Sequence, residues 1–402
     1  MSCLNFKKVR FSYIFNSLFL FLAILDPTRS IFHATEIMLI LCLLLNFKKF
    51  EYSYFPAIMF CIAFWFLSLA CSMNNQRFDN ARKISLLTSY VFLFYIFLSK
   101  DNSNKTFLCF YKCGKIMSFI VILLGLLFLF VPALGTVAIA FFSEDNSTIM
   151  FSSARALLSI TVVSVFYKTS PMIVLLFSFS LAVYFATKKK RYFIDSILFF
   201  LNLFFSATRA NVLSALLILG FVFIFYLYFV ENKVTLAFLL MLIFSMLAFA
   251  LILMLLFQKG EASLDTKKLH QVSTLNLLFS NPIRTFFVGY GPGALFWTDG
   301  WGGGYTSQTE LSYLEIIRNY GLIGAIVIIV LFFSPFMSIV NNKKISTYYK
   351  YSFSIGYLAY LFIAGTNPLL NCATGYLTLA LFAYMANHNV VLEVRNAYEH
   401  YN

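Results

Sequence analysis

Apolar runs of roughly 16 to 25 residues recur along the whole chain, each near the length at which a helix crosses the hydrocarbon of a bilayer. They fall at 11–26, 30–47, 54–73, 84–99, 116–131, one crossing within 155–187, 192–207, 210–230, 234–257, 311–333, 347–364 and 370–386. Hydrocarbon offers no partner to an open backbone, so repeated spans of this length must be helices. The sequence therefore predicts a single all-α polytopic membrane domain over 1–402, with about twelve transmembrane helices. Composition excludes the alternatives. Of 402 residues 61% are hydrophobic and only 11% charged, about half the charge of a soluble domain. A soluble enzyme, a secreted disulfide scaffold and a disordered chain are ruled out. The seven cysteines lie mostly inside apolar runs without a CxxC pair, which suits packing better than metal ligation.

Charge assigns the sides. With one crossing in 155–187, the connections carrying Lys48 and Lys49, Lys100 to Lys115, Lys188 to Arg191, and Lys343 to Lys350 share the side of the N-terminus. That side then holds 18 Lys and Arg against 6 Asp and Glu, and the other 12 against 10, giving nets of +12 and +2 within the total of +14. A second crossing would put the KKKR run outside. The positive-inside rule thus favours twelve helices with both termini cytoplasmic, and makes Pro171 a break or kink near the outer face. Nucleic-acid binding is a poor reading of this basic balance.

One outer connection, 258–310, is far longer than the rest, as functional lids and binding loops are. It carries Lys267, Lys268, His270, Arg284, the run Gly289-Tyr290-Gly291-Pro292-Gly293, and the polar aromatic run Trp297 to Tyr305. Glycine-rich backbone with Trp and Tyr suits a mobile, sugar-stacking surface, and equally a plain flexible loop.

Three polar groups interrupt the spans. The turn Ser206 to Asn211 places Arg209 at or just below the outer interface, where an Arg costs a few kcal/mol unless it is partnered or faces a wet cavity; snorkelling to lipid phosphate is the plainer reading. Where the long loop enters the next span, Glu315 and Arg318 are three apart and can pair, while Glu310 either caps the first turn of the helix or acts as a base facing the loop. Asp26 to Arg29 with His33 and Glu36 reads as a polar seam between helices. With Arg155, Lys267, Lys268, His270 and Arg284, these cations suit an anionic partner such as phosphate, or lipid headgroups.

In its layout the chain resembles the Wzy-type O-antigen polymerases, and more distantly the O-antigen ligases. The local matches are Ser206 to Asn211, Asn281 to Arg284 followed by Val288 to Gly293, Glu310 to Gly324, and Gly365 to Pro368. Arg209 to Gly220 also fits an Arg-x10-Gly spacing of some of these polymerases, whereas Arg284 has no Gly at that distance. Ligases typically carry a His where the long loop meets the helix; here Gln308-Thr309-Glu310 stands there, which favours a polymerase.

The resemblance implies a GT-C-like, metal-independent glycosyltransferase of the bacterial inner membrane, with no cofactor and with its site facing the periplasm. Its substrates would be undecaprenyl-pyrophosphate-linked glycans as donor and acceptor, with membrane lipid and a chain-length regulator as further partners. Arg209 and Arg284, with Arg318, would stabilise the leaving pyrophosphate, and Glu310 would take the acceptor proton. Tyr290, Gly291, Gln308, His270, Lys268 and Arg155 would contact substrate. Two other activities use the same features: ligation of finished glycan to lipid A core, and flipping of lipid-linked oligosaccharide. The absence of repeat symmetry counts against the flippase.

Overall fold

A computed structural model describes residues 2–25, 34–46, 55–73, 77–97, 100–141, 150–157, 160–257 and 262–385. Lys48, Lys49, and Asp26 to Arg29 with His33, lie outside the described residues, as does the side chain of Arg155. In chain order the helices are α1 (Ser2–Leu25), α2 (Ala34–Asn46), α3 (Phe55–Ala70), α4 (Asn80–Ser89), α5 (Lys100–Phe130) and α6 (Pro132–Phe141). A hairpin of β1 (Met150–Leu157) and β2 (Ile160–Tyr167) precedes α7 (Ile173–Thr187), α8 (Lys190–Phe205), α9 (Arg209–Phe229) and α10 (Val234–Phe257). Next come α11 (Ala262–Ser280), α12 (Pro282–Phe287), a short hairpin of β3 (Phe296–Thr298) and β4 (Gly304–Thr306), then α13 (Ser312–Asn341), α14 (Thr347–Gly365) and α15 (Ala373–Met385).

This is a helical, membrane-embedded protein. Among the described residues four helical stretches have the length and apolarity to cross a bilayer: Thr106–Phe130, Ser170–Thr187, Arg209–Phe229 and Ser312–Asn341. Shorter apolar helices at Ile14–Leu25, Thr35–Leu44, Ile58–Ala70, Val234–Leu247 and Ala373–Met385 stand at other expected spans.

The departures from expectation have local causes. Residues 155–187 hold a hairpin followed by one helix. The run Ile160 to Val165 is rich in β-branched side chains, which fit a strand. Pro171 sits in a 3-10 turn, Ser170–Met172, that leads into α7. It therefore starts the helix, where its missing N–H is harmless, rather than kinking one. In the expected span 84–99, α4 gives way to a 3-10 stretch over the aromatic run Tyr90–Phe97, side chains that crowd an α-helical turn.

Helix α7 is buried on every side from Ile173 to Val183, so it forms the middle of the bundle. Helix α14 runs antiparallel to α7 and α9. Tyr348 Oη donates to the Ala182 carbonyl at 3.1 Å, and Tyr351 stacks on Phe229 with ring centroids 5.5 Å apart. The C-terminal Gly365 of α14 therefore lies at the end where α7 and α9 begin. At the opposite end, buried Asp195 of α8 accepts from Tyr111 Oη at 2.7 Å and pairs with Lys115. Exposed apolar side chains line the outside of the bundle, with Phe238, Leu239, Ile243 and Met246 of α10 among them.

Segment 258–310 is not an unstructured loop over its described part: two helices and a hairpin fold into a crown. The crown has its own small core of Leu278, Tyr290 and Ala294, packed against Phe78, Leu314 and Ile317. Backbone bonds stitch it to the short connection before α4: Asp79 N–H donates to the Gly293 carbonyl at 2.9 Å and Leu295 N–H to the Arg77 carbonyl at 2.8 Å.

Candidate active site

The crown meets the bundle at the start of α13, where two carboxylates five positions apart have opposite surroundings. Glu315 and Arg318, whose spacing on a helix allows an ion pair, form one at 2.9 Å with side chains 2% and 0% exposed. Glu315 also accepts from Arg318 Nε at 3.3 Å, Asn319 Nδ2 at 3.2 Å and Thr309 N–H at 3.2 Å. Arg318 further donates to the Ala294 and Ser307 carbonyls, each at 2.7 Å, and its guanidinium lies 4.7 Å from the Phe296 ring centroid. Such a pair is tolerated in a dry interior because other bonds satisfy the remaining lone pairs and protons. Arg318, expected beside the pyrophosphate, thus has no exposed surface; it ties the strands of the crown to α13.

Glu310 lies before the helix rather than on its first turn. The N-cap is Leu311, without a side-chain bond, so Glu310 does not cap α13. Its carboxylate, 25% exposed, stands 3.7 Å from Lys267 Nζ of α11. Lys267 also donates to the Thr366 carbonyl at 3.0 Å. Close by, the Ser312 hydroxyl bonds to the Asn367 carbonyl and accepts from Leu369 N–H at 3.1 Å and Leu370 N–H at 3.3 Å. The connection after α14 is therefore the third one gathered at this end.

His270, one turn along α11 from Lys267, is fully buried, with Nδ1 3.1 Å from Thr298 Oγ1. Burial pushes its imidazole below the ordinary value, against an opposing pull from the Glu310 and Glu315 charges. It holds hairpin β3–β4 to α11 and presents no surface to a substrate. Lys268, by contrast, is exposed and stands 4.0 Å from Asp265.

The run Gly289 to Gly293 is a packed strap and not a mobile surface. Tyr290 is buried, its hydroxyl donating to the Leu277 carbonyl at 2.6 Å, and Gly291 N–H donates to the Asn319 carbonyl at 3.1 Å. Gly289 (φ 68°) faces Gly321 (φ 72°), which breaks the helical backbone of α13. A Cβ on Gly289 would fall 2.7 Å from the Arg318 carbonyl, and one on Gly321 2.8 Å from Val288 N. Only two glycines allow this approach. Arg284 turns inward under the strap: Nε donates to the Gly289 carbonyl at 3.0 Å and the guanidinium lies 4.8 Å from the Tyr290 ring centroid. Gln308 sits in a tight turn, its N–H donating to Thr306 Oγ1 at 3.2 Å. The aromatic run does reach solvent: Trp297 and Tyr305, on paired strands, meet edge to face with centroids 5.5 Å apart.

Arg209 is exposed at the first turn of α9. Its turn is held by Asn211 Nδ2, which donates to Ser206 Oγ at 2.8 Å and Ser170 Oγ at 3.2 Å, with Ala207 at positive φ. By the antiparallel packing of α14, Arg209 belongs to the same end of the bundle as Glu310 and Lys267. Arg155 lies on β1, whose hairpin packs against α5, α6 and α8.

Sequence reasoning placed Lys267 only among general outer cations and missed it as the partner of Glu310; its spacing of three from His270 on a helix was the available signal. No family model matches the chain, and no curated protein matches it.

Proposed function

We propose that the chain is a polymerase of lipid-linked oligosaccharide repeats, acting at the crown end of the bundle. The observation that supports this most is the pairing of a partly exposed carboxylate with a lysine, Glu310 with Lys267 at 3.7 Å, at the same end as an exposed Arg at a helix start. A buried structural pair beside it holds the crown in place, which leaves Glu310 available for chemistry.

In the reaction the acceptor hydroxyl oxygen attacks the anomeric carbon of the donor glycan. The carbon–oxygen bond to phosphate breaks, and its electron pair leaves with the polyprenyl pyrophosphate. Glu310 accepts the hydroxyl proton. Arg209 meets the negative charge that develops on the pyrophosphate, and the N-terminus of α9 adds to it. On this reading the crown end faces the periplasm, twelve spans place both termini in the cytoplasm, and Trp297 with Tyr305 lies beside the glycan. Arg284 and Arg318 act as structural residues.

The test is glycan length in cells producing Arg209→Ala or Glu310→Gln protein at wild-type levels. Surface glycan should collapse to single repeats in both, and wild-type chain lengths in both would sink the proposal. A proteoliposome assay with lipid-linked repeats separates the other activities: a flippase exchanges substrate without forming a glycosidic bond, and a ligase needs lipid A core as acceptor.

A further inference from the structure

The crown carries an apolar face that its own core does not cover. Phe279 at the end of α11 and Ile283 of α12 are each 75% exposed, and Phe286 and Phe287 beside them are 47% and 53% exposed. The Phe286 and Phe287 rings meet edge to face with centroids 5.0 Å apart, and large apolar side chains gathered so closely in the sequence and left exposed on an extramembrane segment mark a partner or a membrane surface.

The depth of α12 chooses between them. Its end is fixed by Gly289 against Gly321 and by the Ser68 hydroxyl, which bonds to the Val288 carbonyl near the C-terminus of α3. Gly321 lies about 13 Å along α13 from Ser312, at 1.5 Å per residue. Gly321 breaks α13, and the part after it, Leu322 to Asn341, rises about 30 Å, the thickness of the hydrocarbon, so the turns before Gly321 stand outside the apolar layer. They are the turns that carry Glu315, Arg318 and Asn319, and within this span the stretch without polar side chains begins at Leu322. Gly321 thus marks the border of the hydrocarbon, and α12 lies beside that border rather than above the bundle. On the bundle wall, Leu67 near the end of α3 and Leu322 just past Gly321 are likewise exposed. Arg284, the cation of α12, turns away from that face toward the Gly289 carbonyl.

We infer that α12 and the end of α11 lie in the boundary between lipid headgroups and acyl chains, with Phe279, Ile283, Phe286 and Phe287 directed into bilayer lipid. The crown is moored sideways to the membrane, as an interfacial amphipathic helix is. This holds Glu310 and hairpin β3–β4 at a fixed height above the lipid surface. The inference needs the protein to be membrane-embedded, and it does not need the polymerase reading.

The experiment uses the full chain in vesicles of phosphatidylethanolamine and phosphatidylglycerol, with the photocrosslinker p-benzoylphenylalanine replacing Ile283, Phe286 or, as the aqueous control, Tyr305. Irradiation followed by mass spectrometry should give lipid adducts at 283 and 286 and lose them at 305. Absence of lipid adducts at 283 and 286 would overturn the inference. So would crosslinks from these positions to a second copy of the chain, or lipid adducts at 305 in the same yield.

Discussion

Glu310 and Glu315 sit five positions apart at one junction, yet their surroundings are contrary. Glu315 is buried and accepts from Arg318, Asn319 and the Thr309 backbone. Glu310 keeps a quarter of its side chain exposed and has Lys267 at 3.7 Å as its charged partner. The first arrangement is closed to substrate, because every lone pair it offers is committed in a dry site. The second is open, because among the described residues its ion pair is with one cation, Lys267, at the edge of solvent. Two acids near a helix start look alike in sequence; the number of fixed donors around each separates the closed acid from the accessible one.

The comparison is most severely tested at Arg318. Removing it in Arg318→Ala leaves a buried carboxylate uncompensated, which should cost about 3 to 5 kcal/mol. The crown should come loose, read as a lower unfolding temperature in detergent and as proteolysis within 262–310. An Arg318→Ala protein with wild-type stability and no activity would break the distinction, since Arg318 would then belong to the chemistry. Arg318→Lys should fall between, as one ammonium cannot reach Glu315 and both the Ala294 and Ser307 carbonyls.

The close approach of strap and helix comes next. Gly289→Ala puts a Cβ 2.7 Å from the Arg318 carbonyl at a positive φ, and should destabilise by about 1 to 3 kcal/mol through strain. The same thermal measurement checks it. A neutral result would mean that strap and α13 are not pressed together.

Glu310→Gln should do the reverse of Arg318→Ala. An ion pair this exposed is worth about 0 to 1 kcal/mol, so the unfolding temperature should hardly move while polymerisation is lost. Lys267→Met should likewise keep stability within about 1 kcal/mol and should reduce product formation less than Glu310→Gln does. If Lys267→Met unfolds the crown, the open pair is a structural one after all.

How much of this was legible in sequence follows from the range of the forces involved. Helical spans were legible because hydrocarbon imposes length and apolarity locally, and the Glu315–Arg318 pair because helix geometry brings i and i+3 together. The crown was not. Its order depends on partners distant in the chain, such as Asp79 N–H on the Gly293 carbonyl, Ser307 on Asp79 at 2.9 Å and Lys267 on Thr366, and glycine-rich segments look mobile until those partners are known. Tyr290 and Arg284 turn inward for the same reason: a side chain that can touch a substrate can equally pack onto its own strap. The expected span began at Leu311 and α13 begins at Ser312, and that shift of one residue leaves Glu310 ahead of the cap, paired with Lys267 instead.

His270 supplies the finest test of the closed side of the junction. Burial holds its imidazole below the ordinary histidine value of 6.5, outweighing the pull of Glu310 and Glu315. As pH falls through the ordinary value, the unfolded chain takes up a proton that the folded crown does not. Stability is therefore full above that value and declines between it and the lower folded one. Local opening of α11, read by amide hydrogen exchange over 262–280, should increase on going from about pH 7.5 to about pH 5.5, and His270→Gln should flatten that dependence. The effect should be confined to the crown, because the imidazole meets Thr298 at 3.1 Å and a Cβ on Gly300 would fall 2.7 Å from its Nε2. Exchange that rises equally in α7 would assign the pH response to the bundle and remove His270 from the account.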